Sequence, residues 1–205
     1  MKLWIFIWRM QPLHMWHQKI IEKSLEENNL TFIILGSSEV LDDRNIFTNE
    51  QRLKLLKLFL NKKTRNKILF LEDTKSDKQW VENLNSLIEK TWDDYLKHTL
   101  SRLMWWKNIN SEDIEFQKQD FSSQVEKVTF YWGDLENDYA IQIIKEYENL
   151  LNFKDIKYLE ISRKEIPISS TQIREELKKN NYVALQKILH PKVLKEIKKY
   201  VLQNK

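Results

Sequence analysis

Short apolar runs alternate with segments of helical periodicity along most of this chain, and this alternation limits the fold it can adopt. Between the apolar runs, segments such as 17–28 carry apolar residues at helical spacing. Because strands that alternate with helices form parallel sheets covered on both faces, we expect an α/β fold with a doubly wound parallel sheet. The five runs that predict buried strands lie at residues 3–7, 30–35, 67–71, 128–131 and 156–161.

The same pattern predicts how the chain is organised. Residues 101–124 are polar and irregular, and we interpret them as an insertion or a surface excursion. No internal repeat and no low-complexity linker divides the 205 residues, so we expect one domain, 1–205, that ends in C-terminal helices. The predicted helices lie at 17–28, from Thr48 onward, and at 81–100, 139–151, 171–179 and 192–202.

Composition excludes several classes of protein. The absence of cysteine removes disulfides, thiolate catalysis and zinc–thiolate sites, and it favours a cytoplasmic location. No run approaches 18 apolar residues, so a membrane is not an expected partner. The net charge of +4 suits anionic small ligands, whereas nucleic acid is not expected, because aromatic residues are not interleaved with a basic stripe. A homo-oligomer is compatible with these features.

The end of the first predicted strand carries the first of two polar constellations. Arg9, His14 and His17 lie between this strand and the first predicted helix. In parallel α/β sheets ligands bind beyond the carboxyl ends of strands, and a helix N-terminus there favours phosphate. One guanidinium and two imidazoles would add donors for the same anion. The alternative is a set of unrelated polar residues in a loop, and spacing alone leaves both interpretations open.

The second constellation begins a helix near the C-terminus, at ISSTQIR (168–174). Ser169 and Gln172 fit a capping box, so a plain helix start is the simplest interpretation. The same arrangement would present backbone N–H groups and hydroxyls to an anion, with Arg174 one turn into the helix.

Together the two constellations resemble the signatures of a known family. LHMWH (13–17) resembles the HxGH signature of the nucleotidyltransferase superfamily, and ISSTQIR is similar to its ISSTxIR signature. The longer string WRMQPLHMWH (8–17) resembles GRFQPxHxGH, which is typical of archaeal-type nicotinamide-nucleotide adenylyltransferases. RNIFT (44–48), followed by Glu50 and Arg52, resembles the NPFT…ER segment of that branch. The motifs follow in the expected order, and the resemblance covers most of the chain.

The resemblance implies a Rossmann-like fold and a role in NAD biosynthesis, in which the AMP moiety of ATP joins nicotinamide mononucleotide and pyrophosphate leaves. His14 and His17 would hold oxygens near the α-phosphate, and Arg174 would hold the β- and γ-phosphates. Mg²⁺ would be bound through the ATP phosphates, without a dedicated protein site. The further nucleotide contacts that the resemblance implies are Arg9, Gln11, Trp16, Ser169, Ser170, Thr171, Gly133 and Asp134.

An acceptor site is also implied after the third strand, where family members pack a Trp against the nicotinamide ring beside Asp or Asn. Trp80, with Asp73 and Asp77 before it, stands at a comparable place; a solvent-facing helix start is the alternative. Arg44 and Arg52 are candidates to bind the acceptor phosphate. The alternative for either arginine is an exposed helix charge.

The chain departs from the family at its glycines. Trp8 and Trp16 replace motif glycines, and Trp132 precedes Gly133 where relatives often have two glycines; the whole chain has 2 Gly and 8 Trp. Three explanations are open: an inactive homologue with a filled site, a rearranged loop whose indoles point away, or UGA codons that encode glycine and are read as Trp. We favour the third, since one cause accounts for both abnormal counts. Trp4 belongs to the same set.

Three other functions remain open from the sequence. They are a nicotinate mononucleotide adenylyltransferase, a cytidylyltransferase, and an inactive nucleotide-binding scaffold. The Gln11-Pro12 pair favours the nicotinamide branch, because the nicotinate enzymes more often carry a TFDP-like string. Genuine Trp at positions 8 and 16 would favour the scaffold.

Overall fold

The computed structural model describes residues 2–37, 41–61, 65–107, 125, 127–133, 138–162, 164 and 166–203, with the backbone alone at 100–107 and 203. Within these residues, five strands form one parallel sheet in the order β3-β2-β1-β4-β5. The predicted doubly wound α/β fold is confirmed. The strands are β1 (Lys2–Trp8), β2 (Leu30–Leu35), β3 (Asn66–Phe70), β4 (Lys127–Trp132) and β5 (Ile156–Glu160).

Helices occupy the connections between strands and the C-terminal part of the chain. A 3₁₀ turn, Glu148–Leu150, precedes β5. None of the described helices is both long and apolar enough to cross a bilayer. The helices are α1 (Met15–Glu27), α2 (Asn49–Leu60), α3 (Asp77–Lys107), α4 (Tyr139–Glu146), α5 (Ser170–Lys178), α6 (Tyr182–Gln186) and α7 (Pro191–Gln203).

The position of β1 determines where a ligand can bind. β1 pairs with β2 on one side and with β4 on the other. The chain proceeds outward from β1 to β3 and then returns to β4 and β5, so the strand order reverses beside β1. Ligands of open parallel sheets bind at such a reversal, beyond the carboxyl ends of the strands. The ends of β1 and β4, at Trp8 and Trp132, mark this place.

Alternate side chains of the strands enter two separate cores, as the two-residue period of a strand requires. Phe6 and Ile33 pack with side chains of α1, α2 and α5–α7. Ile5 and Phe32 pack with side chains of α3 and α4 on the opposite face. Because both faces are covered, the strand ends are the part of the sheet that can be reached by a ligand.

Several boundaries differ from the sequence-based expectations. α3 continues through Lys107, so the beginning of segment 101–124 is helical rather than irregular; residues 101–107 include several good helix formers, which favours this continuation. Residues 108–124 lie outside the described residues. The helix predicted over 139–151 ends at Glu146, and its last turn tightens into the 3₁₀ form that is common at helix ends. The short helix α6 was not predicted.

Candidate active site

The loop between β1 and α1 forms the centre of the candidate site. Its backbone is left-handed at Met10, with a φ of 49°, and the peptide bond between Gln11 and Pro12 is cis. His14 is the N-cap residue of α1, and His17 is the third residue of that helix. Both histidines therefore lie just beyond the carboxyl end of β1, as predicted.

His14 and His17 form a buried pair at the start of α1. Each is 2% exposed, and their ring centroids are 3.8 Å apart. The backbone N–H of His14 donates a hydrogen bond to Nδ1 of His17 over 3.4 Å. Since Nδ1 accepts this bond, a neutral His17 ring carries its proton on Nε2. His17 also lines a cavity at this edge of the sheet.

Arg174 joins α5 to the histidine loop. Its Nη1 donates to the backbone carbonyl of Gln11 at 2.9 Å, and its Nη2 donates to Oγ1 of Thr171 at 3.0 Å. At the start of α5, Oγ of Ser169 accepts from the backbone N–H of Gln172 at 3.1 Å, as expected for an N-cap serine. The two sequence motifs are therefore in direct contact in the folded chain.

These motifs enclose a cavity of about 560 Å³, which we call the basic cavity. Three guanidinium groups and two imidazoles line it, and no carboxylate does so among the described residues. Burial, and then the charges of Arg9 and Arg44, lower the pKa of Arg174, as expected where cations gather. Such a cavity favours an anionic ligand. Its lining residues are Trp8, Arg9, Met10, Gln11, His14, His17, Arg44, Ser169, Ser170, Thr171 and Arg174.

A second cavity of about 570 Å³ has three aspartates in its lining, and we call it the acidic cavity. It brings together Asp73, Asp77 and Trp80, the three residues predicted after the third strand. Trp8 and Arg9 line both cavities, so the cavities meet at the end of β1. The lining residues are Ile7, Trp8, Arg9, Gly36, Ser37, Asp73, Thr74, Asp77, Trp80, Asp138, Tyr139, Ala140 and Ile143.

Arg52 lines neither of these two cavities, in contrast to Arg44, which lines the basic one. Arg52 is 2% exposed, and its Nη1 donates to the backbone carbonyls of Arg9 at 2.7 Å and Gly36 at 2.8 Å. Burial lowers the pKa of its guanidinium. The expectation of an exposed helix charge is wrong for Arg52, and its position does not support contact with the acceptor phosphate. Its hydrogen bonds instead tie the end of β1 to the end of β2.

Gln11 borders the basic cavity, but its side-chain amide is engaged by the protein. Its Nε2 donates to the carbonyl of Phe47, and its Oε1 accepts from the N–H of Phe47, both at 2.9 Å. The amide therefore joins the histidine loop to the segment before α2. Gln11 supports the site through these bonds and through the carbonyl that accepts from Arg174. Because Gln11 also lines the basic cavity, its nucleotide contact stays a prediction.

Trp16 and Trp8 take different positions. Trp16 is 1% exposed, belongs to the core that includes α1, and lines neither cavity, so its indole is not placed for the predicted nucleotide contact. The indole of Trp8 is partly buried, packs edge-on against Trp16 at a centroid distance of 4.9 Å, and lines both cavities. The explanation in which both indoles point away thus holds for Trp16 and fails for Trp8.

The end of β4 is crowded by aromatic rings. The ring centroids of Trp4 and Tyr131 are 3.4 Å apart, closer than the roughly 4.5–7 Å usual for aromatic pairs. Nε1 of Trp132 is buried without a hydrogen-bond partner in the described part of the chain, although buried indoles usually have one. This crowding at suspected glycine positions agrees with the codon explanation. Gly133 is buried and lines neither cavity, and Asp134 lies outside the described residues.

Tyr139 is a site residue that the sequence analysis missed. It begins α4 and lines the acidic cavity, and its hydroxyl donates to Oδ2 of Asp77 at 3.0 Å. Elsewhere in the lining of this cavity, Oγ of Ser37 donates to Oδ1 of Asp73 at 3.3 Å. Both contacts join segments that are distant in sequence, so no local pattern could reveal them; the one available signal was that Tyr139 begins the helix predicted after the fourth strand.

Comparisons with known proteins agree with these motifs. The model of the family described as Cytidylyltransferase-like matches residues 5–176. A nicotinamide-nucleotide adenylyltransferase of Methanocorpusculum labreanum is 30% identical over 90 residues, which is 43% of this chain and 54% of that relative. The matched region thus spans about half the length of this curated relative.

Two solved structures of NadR protein share the fold. The complex with NAD and AMP-PNP matches with a TM-score of 0.54 and 21% identity, covering 85% of this chain and 42% of that chain. The complex with NR matches with a TM-score of 0.56 and 20% identity, covering 87% of this chain and 42% of that chain. At these identities the likeness concerns the fold alone. Because the family model extends from β1 into α5 and includes both motifs, the chain belongs to the cytidylyltransferase-like family of the nucleotidyltransferase superfamily.

Proposed function

We propose that the protein transfers the AMP moiety of ATP to nicotinamide mononucleotide, forming NAD and releasing pyrophosphate. The observation that carries the proposal is the meeting of a basic and an acidic cavity at Trp8 and Arg9. The similar protein of M. labreanum bears the name of this activity, and one of the similar NadR structures holds NAD and AMP-PNP. A basic cavity suits the donor triphosphate, and the neighbouring cavity suits a different kind of ligand.

The basic cavity accounts for the donor. The N-terminus of α5 offers free backbone N–H groups and the positive end of a helix dipole, which both favour phosphate. Arg174 lies one turn into this helix and lines the cavity, to which it adds a positive charge. Arg9 and Arg44 add further positive charge. The several negative charges of a triphosphate would match these positive charges.

The lining of the acidic cavity supports the choice of acceptor in this proposal. A nicotinamide ring in a mononucleotide carries a positive charge and a neutral carboxamide, whose N–H groups can donate to carboxylates. A nicotinate ring carries a carboxylate instead, which Asp73, Asp77 and Asp138 would repel. Trp80 adds an aromatic surface for a cationic ring. The ring is cationic in both mononucleotides, so the three carboxylates, rather than Trp80, support nicotinamide mononucleotide over nicotinate mononucleotide.

The reaction needs no covalent intermediate with the protein. An oxygen of the acceptor phosphate attacks the α-phosphorus, and the bond from that phosphorus to pyrophosphate breaks. Positioning and the stabilisation of charge on phosphate oxygens then account for catalysis. The Nε2–H of His17 and the guanidinium of Arg174 would hold these oxygens, with His14 beside them.

Mg²⁺ belongs to the proposal as an ion carried by the nucleotide. When bound, it would neutralise charge on the phosphates. The described residues hold no group of three or more His, Asp or Glu side chains suited to a metal ion, and no carboxylate among them lines the basic cavity. This lining fits an ion whose ligands are phosphate oxygens and water rather than protein side chains.

The activity can be tested directly with purified protein. We expect ATP, nicotinamide mononucleotide and Mg²⁺ to yield NAD and pyrophosphate in equal amounts, measured by chromatography and a pyrophosphate assay. The assay includes the form with Trp8 and Trp16 and a Trp8→Gly/Trp16→Gly variant, because the Trp8 indole lies where the cavities meet. CTP in place of ATP tests the cytidylyltransferase alternative. If neither form makes NAD, the proposal fails, and a form that still binds ATP would support the scaffold alternative.

Acceptor selectivity provides a second test. Asp77→Asn is expected to lower the preference for nicotinamide over nicotinate mononucleotide, measured as a ratio of kcat/KM values, by roughly tenfold, because it removes a like charge from the surroundings of the nicotinate carboxylate. Asp93→Asn, on the exposed side of α3, is the matched control and should leave the ratio unchanged. A wild-type preference for nicotinate mononucleotide would contradict the assigned acceptor.

A further inference from the structure

Tyr139 bridges two helices beside the acidic cavity. It is the first residue of α4, which follows β4, whereas its partner Asp77 is the first residue of α3, which follows β3. These strands lie on opposite sides of β1, so the bridge spans the reversal point of the sheet. The Tyr139 residue is 65% exposed although it lines the cavity. A tyrosine that packed only for core stability would be more deeply buried.

The Tyr139 hydroxyl occupies one side of the Asp77 carboxylate. The distance from the hydroxyl oxygen to Oδ2 is 3.0 Å. This hydrogen bond, together with the negative charge of Asp77, raises the pKa of Tyr139, as expected for a phenol that donates to a carboxylate. Oδ1 of Asp77 has no hydrogen-bond partner within the described part of the chain. Tyr139 therefore restrains one carboxylate oxygen, and no described residue is hydrogen-bonded to the other.

We propose that Tyr139 is a positioning residue for the acceptor: it restrains the Asp77 carboxylate so that Oδ1 accepts a hydrogen bond from the carboxamide of the mononucleotide. The inference rests on the proposed function, because it places that mononucleotide in the acidic cavity. A carboxylate at an exposed helix start can otherwise adopt several rotamers, and each bond to a ligand must then overcome the cost of ordering it. Tyr139 reduces this cost before the acceptor binds.

The variant Tyr139→Phe removes the hydroxyl and keeps the ring. We expect the KM for nicotinamide mononucleotide to rise roughly three- to tenfold, while kcat and the KM for ATP change less than about twofold. In an Asp77→Ala background, which removes the acceptor of the Tyr139 hydroxyl, the same substitution should have no further effect on this KM. Steady-state kinetics of the wild type, both single variants and the double variant measure this coupling.

A matched control distinguishes positioning from general structural loss. Tyr182→Phe removes a hydroxyl that donates to Oδ1 of Asn180 at 3.5 Å. Because Tyr182 lines neither cavity, this variant should leave all three constants unchanged. An unchanged KM for nicotinamide mononucleotide in Tyr139→Phe would overturn the inference. An equal loss in the wild-type and Asp77→Ala backgrounds would also overturn it, since Tyr139 would then act independently of Asp77.

The two proposals fail in different ways. If the wild type makes NAD and Tyr139→Phe behaves like the wild type, the positioning inference alone is wrong. If the wild type makes no NAD, the proposed function is wrong, and calorimetric titration with nicotinamide mononucleotide still tests Tyr139. Weaker binding in Tyr139→Phe, with no such difference in an Asp77→Ala background, would support the inference. The absence of wild-type binding would overturn both proposals.

Discussion

Replacing His17 with alanine is expected to lower kcat for NAD formation by roughly 10²–10³-fold, the loss typical of one removed transition-state donor. The His17 ring is 2% exposed, and the bond from the His14 backbone to its Nδ1 orients the ring before substrate arrives. Because charge on the phosphate oxygens grows toward the transition state, the KM for ATP should change less than kcat. Steady-state kinetics with ATP and nicotinamide mononucleotide measure both.

Two further variants are needed to interpret this result. Arg174→Ala should cause a loss of similar size, with an added loosening of the histidine loop, since Arg174 also donates to the carbonyl of Gln11. His98→Ala is the matched control, because His98 is exposed on α3 and lines neither cavity. Full activity in His17→Ala would show that the role assigned to His17 is wrong, even if NAD formation itself is observed.

Trp8→Gly is expected to strengthen ATP binding by roughly 5- to 150-fold. The Trp8 indole lines both cavities, so it takes space where the proposed donor and acceptor would meet. Excess bulk in a closely packed site costs about 1–3 kcal/mol, which corresponds to that range of affinity. Isothermal titration of both forms with ATP provides the measurement. Equal and tight binding by both forms would mean that the indole is accommodated without cost.

Trp16 separates the explanations for the unusual Trp content. Its indole fills the core, so a genuine Trp16 makes Trp16→Gly lose roughly 3–5 kcal/mol of unfolding free energy. Under the codon explanation, which we favour, the glycine form is the natural one and should unfold at no lower denaturant concentration. The intact mass of the protein from its source organism decides between them, and we expect the mass of the glycine form. A mass that matches the tryptophan form would favour the inactive scaffold.

Local patterns were sufficient for the architecture. The five strands lie close to their predicted ends because buried parallel strands form nearly continuous apolar runs, which are visible without any knowledge of their neighbours. Thr48 was predicted to cap α2, and its hydroxyl accepts from the backbone N–H of Gln51 as that prediction requires. Helix starts and strand ends depend on a few adjacent residues, and the sequence records those directly.

The convergence of His14, His17 and Arg174 on one cavity was also predictable, but by a different route. Spacing alone left each motif open to a plain interpretation. The two motifs follow in the expected order, and a parallel sheet brings the elements that carry them to one edge. We therefore expected the motifs to be in contact, and the hydrogen bond from Arg174 to Gln11 shows that they are. Segment 101–107 was misjudged because its surroundings are polar, whereas its own residues favour a helix.

The sequence by itself determined the α/β fold and the family motifs, since apolar periodicity and capping are properties of neighbouring residues. Only the tertiary structure decided what individual polar side chains do. Arg52 donates hydrogen bonds to the carbonyls of Arg9 and Gly36, and the Tyr139 hydroxyl donates to Asp77. Each of these bonds joins residues that are distant along the chain. The residue type of a donor does not reveal whether its partner is a carbonyl, a carboxylate or a ligand. The partner depends on which segments the fold brings within about 3 Å of each other.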